Sequence, residues 1–174
     1  MLLNEYNGMF QKIGIPCIIH NIGIYVKYFC RKSAVFLNEA FNATEQGRIA
    51  TSTVAADRNP KYDTDPGQAT EDKVFLLSVV EAERYFTTNA AWQCAPTAYA
   101  IAQGVYVSDS YTTADGAAAC WWWLRSPGCN QDWAARVDTA GELLFKGYSV
   151  HSSHDGVRPA LWVKTSSLKV QNNA

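Results

Sequence analysis

WWWLRSPG, residues 121–128, is the stretch on which the reading of the fold turns. Side chains of a β-strand alternate between its two faces, so Trp121 and Trp123 leave one way and Trp122 the other. Each indole carries a large apolar area, and a strand with tryptophan on both faces needs an apolar layer on each side. Trp121, Trp122 and Trp123 therefore read as frame. A platform for sugars or bases would set its rings on one face, which only two of the three satisfy. Pro127 and Gly128 end the run as a turn.

Downstream, strand-like runs at 121–124, 133–138, 143–145 and 157–163 alternate with Gly, Ser and Asp punctuation. Upstream, the signals are helical. Asn42 with Glu45 three residues on forms a cap pair that opens a short helix through Ile49, and Ser78 with Glu81 repeats it. The second pair follows the strand-like run 74–77, and Val79, Ala82, Tyr85 and Phe86 then share an apolar helix face. TAYAIAQ, residues 97–103, makes a third helix closed by Gly104. Residues 57–72, with Asn59-Pro60 and Asp65-Pro66-Gly67, read as a long irregular loop of a length that is often functional. Residues 105–119 read as turns. Residues 1–35 show neither helical spacing nor alternation and stand as an atypical or incomplete N-terminal segment, 36–164 as the domain, and 165–174 as a tail. The expectation is an α+β domain, short helices in the N-terminal half and a small antiparallel sheet in the C-terminal half.

The 174 residues fit one domain. A formal net charge of -1 supplies none of the general attraction that polynucleotide binding needs, so nucleic acid is not an expected partner. Cys17, Cys30, Cys94, Cys120 and Cys129 show no C-x-x-C spacing and read mostly as thiols; a Cys120–Cys129 bridge would need the segment between them to turn back on itself. Residues 13–29 are apolar-rich, but Pro16, His20, Asn21 and Lys27 interrupt them and no basic region precedes them, so neither an export signal nor membrane insertion is expected. The compartment is not legible in the sequence, and a cell-surface or secreted location stays open if the chain is part of a longer protein.

Catalytic signatures are absent: no G-x-S-x-G, no phosphate loop, no G-x-G-x-x-G and no H-E-x-x-H. Glu81 and Glu83 are explained by helix capping and a solvent face. His151 and His154 in HSSHD could approach one metal with Asp155, but nothing completes a ligand set, so neither metal nor cofactor is expected. Arg125 in LRSPG and Arg158 in VRPAL sit beside strands, where guanidinium forks suit carbonyls or carboxylates at strand ends; with Trp162 they read as structural. Between these anchors lies a mixed set, Asn130, Asp132, Trp133, Arg136, Asp138, Tyr148, His151, Ser153, His154 and Asp155, separated by small or apolar residues. Such a mixture suits an adaptable binding face. A polar hairpin with a loop would read the same way.

Taken together, WWWLRSPG, WAARVDTAG and GVRPALWV, preceded by FLNEAFNATEQGRI, DKVFLLSVVEAERYF and PTAYAIAQG, resemble a large group of bacterial proteins, common in gut Firmicutes, that carry a DUF6273-type domain. That group is similar to C-type-lectin-fold proteins, among them formylglycine-generating-enzyme-like domains and the variable proteins of diversity-generating retroelements. The resemblance implies a C-type-lectin-like fold and a non-catalytic domain whose diversified C-terminal segment, matching the mixed set, binds a protein or glycan ligand. It also offers an alternative, an oxidoreductase using copper with thiols, for which Cys94, Cys120 and Cys129 are the candidates. A further alternative is an accessory interaction module of a larger surface protein. Calcium is not expected, because the clustered Glu-Pro-Asn or Gln-Pro-Asp signals of calcium-dependent lectins are missing.

Overall fold

The computed structural model of the chain describes residues 2–3, 10–14 and 36–164. Strands β1 (Leu2–Leu3) and β2 (Phe10–Gly14) precede a helical stretch at 36–40 and helix α1 (Ala43–Arg48). Four short strands follow, β3 (Ile49–Ala50), β4 (Ser52–Val54), β5 (Thr70–Asp72) and β6 (Val74–Phe75), then helices α2 (Val79–Tyr85), α3 (Asn89–Trp92) and α4 (Ala98–Ala102). The chain continues as β7 (Val107–Thr112), β8 (Ala118–Cys120), β9 (Trp122–Pro127), β10 (Trp133–Val137), β11 (Leu143–Ser149), β12 (Gly156–Val157) and β13 (Ala160–Lys164).

Local chemistry sets the helix starts. Asn42 accepts from Glu45 N–H while the Glu45 carboxylate accepts from Asn42 N–H, and Ser78 and Glu81 reciprocate in the same way at α2. Each box satisfies two donors that the first turn leaves without partners. Thr97 caps α4 through Ala100 N–H. Short helix α3, capped by Thr88, is too brief to show a period in the sequence.

The core is built on the two faces of β9. Trp122 and Leu124 enter one cluster with Phe75, Val79, Trp92 and Val137, and Trp123 enters a second with Val74, Val150 and Leu161. Trp122 is fully buried, and its indole N–H donates to the Trp92 carbonyl at 2.9 Å. The polar edge of the ring is thereby satisfied where water cannot reach it. Strand β9 lies inside a four-stranded sheet in the order β11-β10-β9-β12, antiparallel to β10 and parallel to β12.

A second sheet centres on β13. It pairs with β2 along one edge, β1 lying beyond, and with both β3 and β6 along the other. Two ribbons, β4 with β5 and β7 with β8, complete the fold among the described residues. The class is mixed α+β, but the expected division into a helical first half and a sheet-forming second half does not hold. Strands run throughout, because β2, β3 and β6 are recruited by β13, and pieces of two residues carry no alternation to read. Residues 105–119, expected as turns, hold the β7–β8 hairpin, whose tip closes through Thr113 N–H to Ala117 O at 2.8 Å. The Thr113 hydroxyl and the backbone at Ala117 hold the exposed Asp115 carboxyl below its ordinary value.

Cys120 and Cys129 are not bridged. They flank the extended β9, and six strand residues span about 20 Å, far beyond disulfide reach. Cys17, Cys30, His20 and most of the apolar 13–29 segment lie outside the described residues. Among those described, no helix is long and apolar enough to cross a membrane.

Truncating Trp122 to Ala removes a fully buried indole and a buried hydrogen bond. The expected loss is about 3–5 kcal/mol, a large share of a small domain's stability. Urea denaturation followed by tryptophan fluorescence checks it, and a loss below ~1 kcal/mol would show that the first cluster does not depend on this ring.

Candidate functional site

The site begins at the irregularity in β10. Pairing with β11 shifts register between Ala134 and Arg136, and Ala134 lies opposite Tyr148 while Arg136 lies opposite Leu144. Gly147 makes this approach feasible. Its φ is +73°, and a Cβ there would fall 1.9 Å from the Ala134 carbonyl oxygen, so any side chain would force the strands apart.

Arg136 emerges from this bulge between two rings. Its guanidinium carbon lies 4.4 Å from the Trp121 ring centroid and 4.3 Å from that of Tyr148. Tyr106 stacks on Trp121 at 4.6 Å, Trp133 packs tilted against Tyr148 at 5.7 Å, and the Lys146 ammonium sits 5.5 Å over Trp133. Tyr106, Trp121, Arg136, Tyr148, Trp133 and Lys146 thus form one continuous ladder of rings and cations drawn from four parts of the chain. Cation–ring contacts contribute about 0.5–2 kcal/mol each, more when water is excluded. Tyr106 is 41% exposed and Tyr148 44%, so the ladder reaches solvent while its central rung does not.

That rung is electrostatically anchored. Arg136 Nη1 donates to Asp155 Oδ1 at 2.8 Å, and Asp155 Oδ2 accepts from the Ser152 hydroxyl at 2.7 Å. Arg136 and Asp155 are both buried. Arg136 Nε has no hydrogen-bond partner among the described residues. Tyr106 N–H donates to the His154 carbonyl at 2.9 Å, tying the HSSHD loop to the far end of the ladder.

The sequence-derived set divides accordingly. Trp133, Arg136 and Tyr148 come together in the ladder, with Asp155 beneath it. Asn130, Asp132, His151, Ser153 and His154 are exposed around it. Asn130 Oδ1 accepts from Asp132 N–H, and Asp138 Oδ1 accepts from the amides of Ala140 and Glu142, so these two side chains shape turns. No group of three His, Cys, Asp or Glu residues among those described is arranged to hold a metal, and Asp155 is occupied by Arg136. Cys94 and Cys120 are buried in the first core cluster.

Arg125 and Arg158 act as clamps. Arg125 donates to the carbonyls of Ala55 and Leu76 and to the carboxylates of Asp57 and Glu81. Arg158 lies 4.7 Å over Phe86 and 5.1 Å over Trp122, and Trp162 packs against the first core cluster. The long loop upstream of β5 is pinned rather than loose. Buried Asn59 donates to the carbonyls of Pro127 at 2.8 Å and Phe145 at 2.7 Å, Thr64 donates to Gly128 O at 2.8 Å, and Gln131 donates to Asp65 O at 3.2 Å.

Sequence reasoning missed Tyr106 and Lys146 and gave Trp121 only to the frame. A usable signal was the alternation in VYV, residues 105–107, at the mouth of β7.

The family model described as "Domain of unknown function (DUF6273)" matches residues 8–165. The chain belongs to the DUF6273 family. The match takes in β2 through β13, so the central strand of the second sheet and its partners β2, β3 and β6 all fall inside the DUF6273 domain. No curated protein and no solved structure matches the chain.

In this DUF6273 domain, Asp155→Asn would leave the buried Arg136 guanidinium without its counter-charge. Losing one partner of a buried pair costs about 3–5 kcal/mol, whereas Ser152→Ala, which removes a single hydrogen bond, should cost about 1 kcal/mol. Chemical denaturation gives both values, and near-UV circular dichroism should show loss of the coupled aromatic signal in Asp155→Asn alone. Equal costs would mean that Asp155 does not hold the ladder.

Proposed function

We propose that the domain is a non-catalytic binding module that holds a protein or glycan ligand against the ladder face, on a C-type-lectin-like scaffold. The observation that carries this reading is the ladder itself, an aromatic and cationic stripe fixed from below by a buried ion pair and exposed at its ends. Preorganised aromatic and arginine side chains bind well because little freedom is lost when a partner arrives. The motif resemblance supports the lectin-like scaffold and would put ligand-facing residues in the C-terminal segment, where Trp133, Tyr148, His151 and His154 lie. The oxidoreductase alternative draws no support from Cys94 and Cys120 sealed in the core, with Cys129 beyond the other end of β9.

If the segment is diversified, variation should fall on Asn130, Asp132, Tyr148, His151, Ser153 and His154 and spare Arg136 and Asp155, whose burial forbids free exchange. A neighbouring reverse transcriptase gene and a template repeat differing at adenines would support that reading, and their absence would leave an undiversified binding domain.

Binding is tested on glycan and protein arrays with the wild type and with the triple variant Tyr148→Ala, His151→Ala, His154→Ala. Exposed aromatic anchors are often worth ~2 kcal/mol, so the triple variant should lose about 30-fold or more in affinity for any array ligand while melting within a few degrees of wild type. Unchanged array binding would sink the ladder as the binding face. Unfolding of the triple variant would show that the division between frame and display face is wrong.

A further inference from the structure

A cavity of about 360 Å³ opens between the pinned loop before β5 and the end of the sheet where β9 passes into β10. That is enough for a small organic ligand. Its apolar walls include Val54, Val150 and Trp133, and its polar lining includes Asp57, Asp65 and Arg125. The walls are preformed, since Asn59, Thr64 and Gln131 hold the loop against the sheet end. Trp133 belongs both to this cavity and to the ladder, while Lys146 is not among the lining residues.

Hydrogen-bond inventory narrows the ligand. A guanidinium has five N–H donors, and Arg125 spends all of them: Nε and one Nη2 N–H on Ala55 O, Nη1 on Leu76 O and Glu81, and the other Nη2 N–H on Asp57 Oδ2. It has no donor left for an anion. The carboxylates are different. Asp57 accepts from Arg125 and Ser78 through Oδ2 alone, and Asp65 accepts from Gly67 N–H through Oδ1 alone, so Asp57 Oδ1 and Asp65 Oδ2 accept nothing from any described residue. Among the lining residues, Asp57 and Asp65 outnumber the single guanidinium of Arg125, so the lining itself is net negative. An indole wall adds attraction for a cation.

We infer that this cavity is a binding site for a small primary ammonium carried on an apolar alkyl or aryl body. The body packs on Trp133, Val54 and Val150, and the ammonium supplies the donors that Asp57 Oδ1 and Asp65 Oδ2 lack. This site goes beyond the ladder face proposed above: it would be occupied whether or not the ladder binds a protein or glycan.

The test uses the whole chain and a matched series, phenethylamine, 2-phenylethanol and 3-phenylpropionate, followed by two-dimensional NMR of the Trp133 indole N–H. Phenethylamine should shift that resonance saturably. The alcohol should bind about tenfold more weakly, and the carboxylate should not bind. Asp65→Asn preserves the cap on Gly67 N–H and should weaken the amine roughly two- to fivefold, as should 0.5 M salt, without changing the alcohol. Equal binding of amine and alcohol, tighter binding of the carboxylate, or no shift with amine at tens of millimolar would overturn the assignment. So would a shift produced by methyl β-glucoside but not by the amine, which would make the cavity a sugar site. Array ligands that still bind the ladder in that event would leave the proposed function standing and this inference alone refuted.

Discussion

Trp122 and Trp123 leave β9 in opposite directions and both end up buried, so this strand must be covered on both sides before the chain can be stable. That constraint orders much of the rest. One face calls for α2, α3 and Phe75 to close over Trp122, and the other calls for Val74 and Leu161 from the second sheet. Adjacent residues Val74 and Phe75 go to different clusters, which is how a two-residue strand links both cores. Arg125 then ties the same strand to the loop and to the start of α2.

The parts legible in the sequence are those fixed by near neighbours. Asn42 with Glu45 and Ser78 with Glu81 announce helix starts because a capping box is closed within four residues. WWWLRSPG announces a doubly buried strand because alternation is intrinsic to the pleat. What stayed hidden depends on distant pairing. Strands β3, β6 and β12 each have two residues and acquire their identity from β13 or β9. Arg136 looks like a surface residue in WAARVDTAG, and only the approach of Asp155, 19 positions on, explains its burial. Tyr106 was lost in a segment whose Ser, Asp and Thr content suggests turns although it forms a hairpin.

The ladder changes what the mixed segment means. Exposed and buried members of the set lie side by side along the same few strands and loops, and burial distinguishes them where composition cannot. Ring faces next to Arg136 are already stacked, so a ligand on the proposed face would meet ring edges, tyrosine hydroxyls and the outer rungs rather than open aromatic plates. Under that proposal, shape and hydrogen bonding at those edges would govern selectivity more than stacking.

Strand β13 pairs with segments around residues 12, 50 and 75. During synthesis those three segments leave the ribosome long before the strand that joins them. The second sheet therefore has no central member until residues 160–164 emerge, and the N-terminal half waits with its apolar edges unpaired. Such long sequence separations slow folding, and they make the interval before β13 arrives the period in which the chain is most exposed to misassociation.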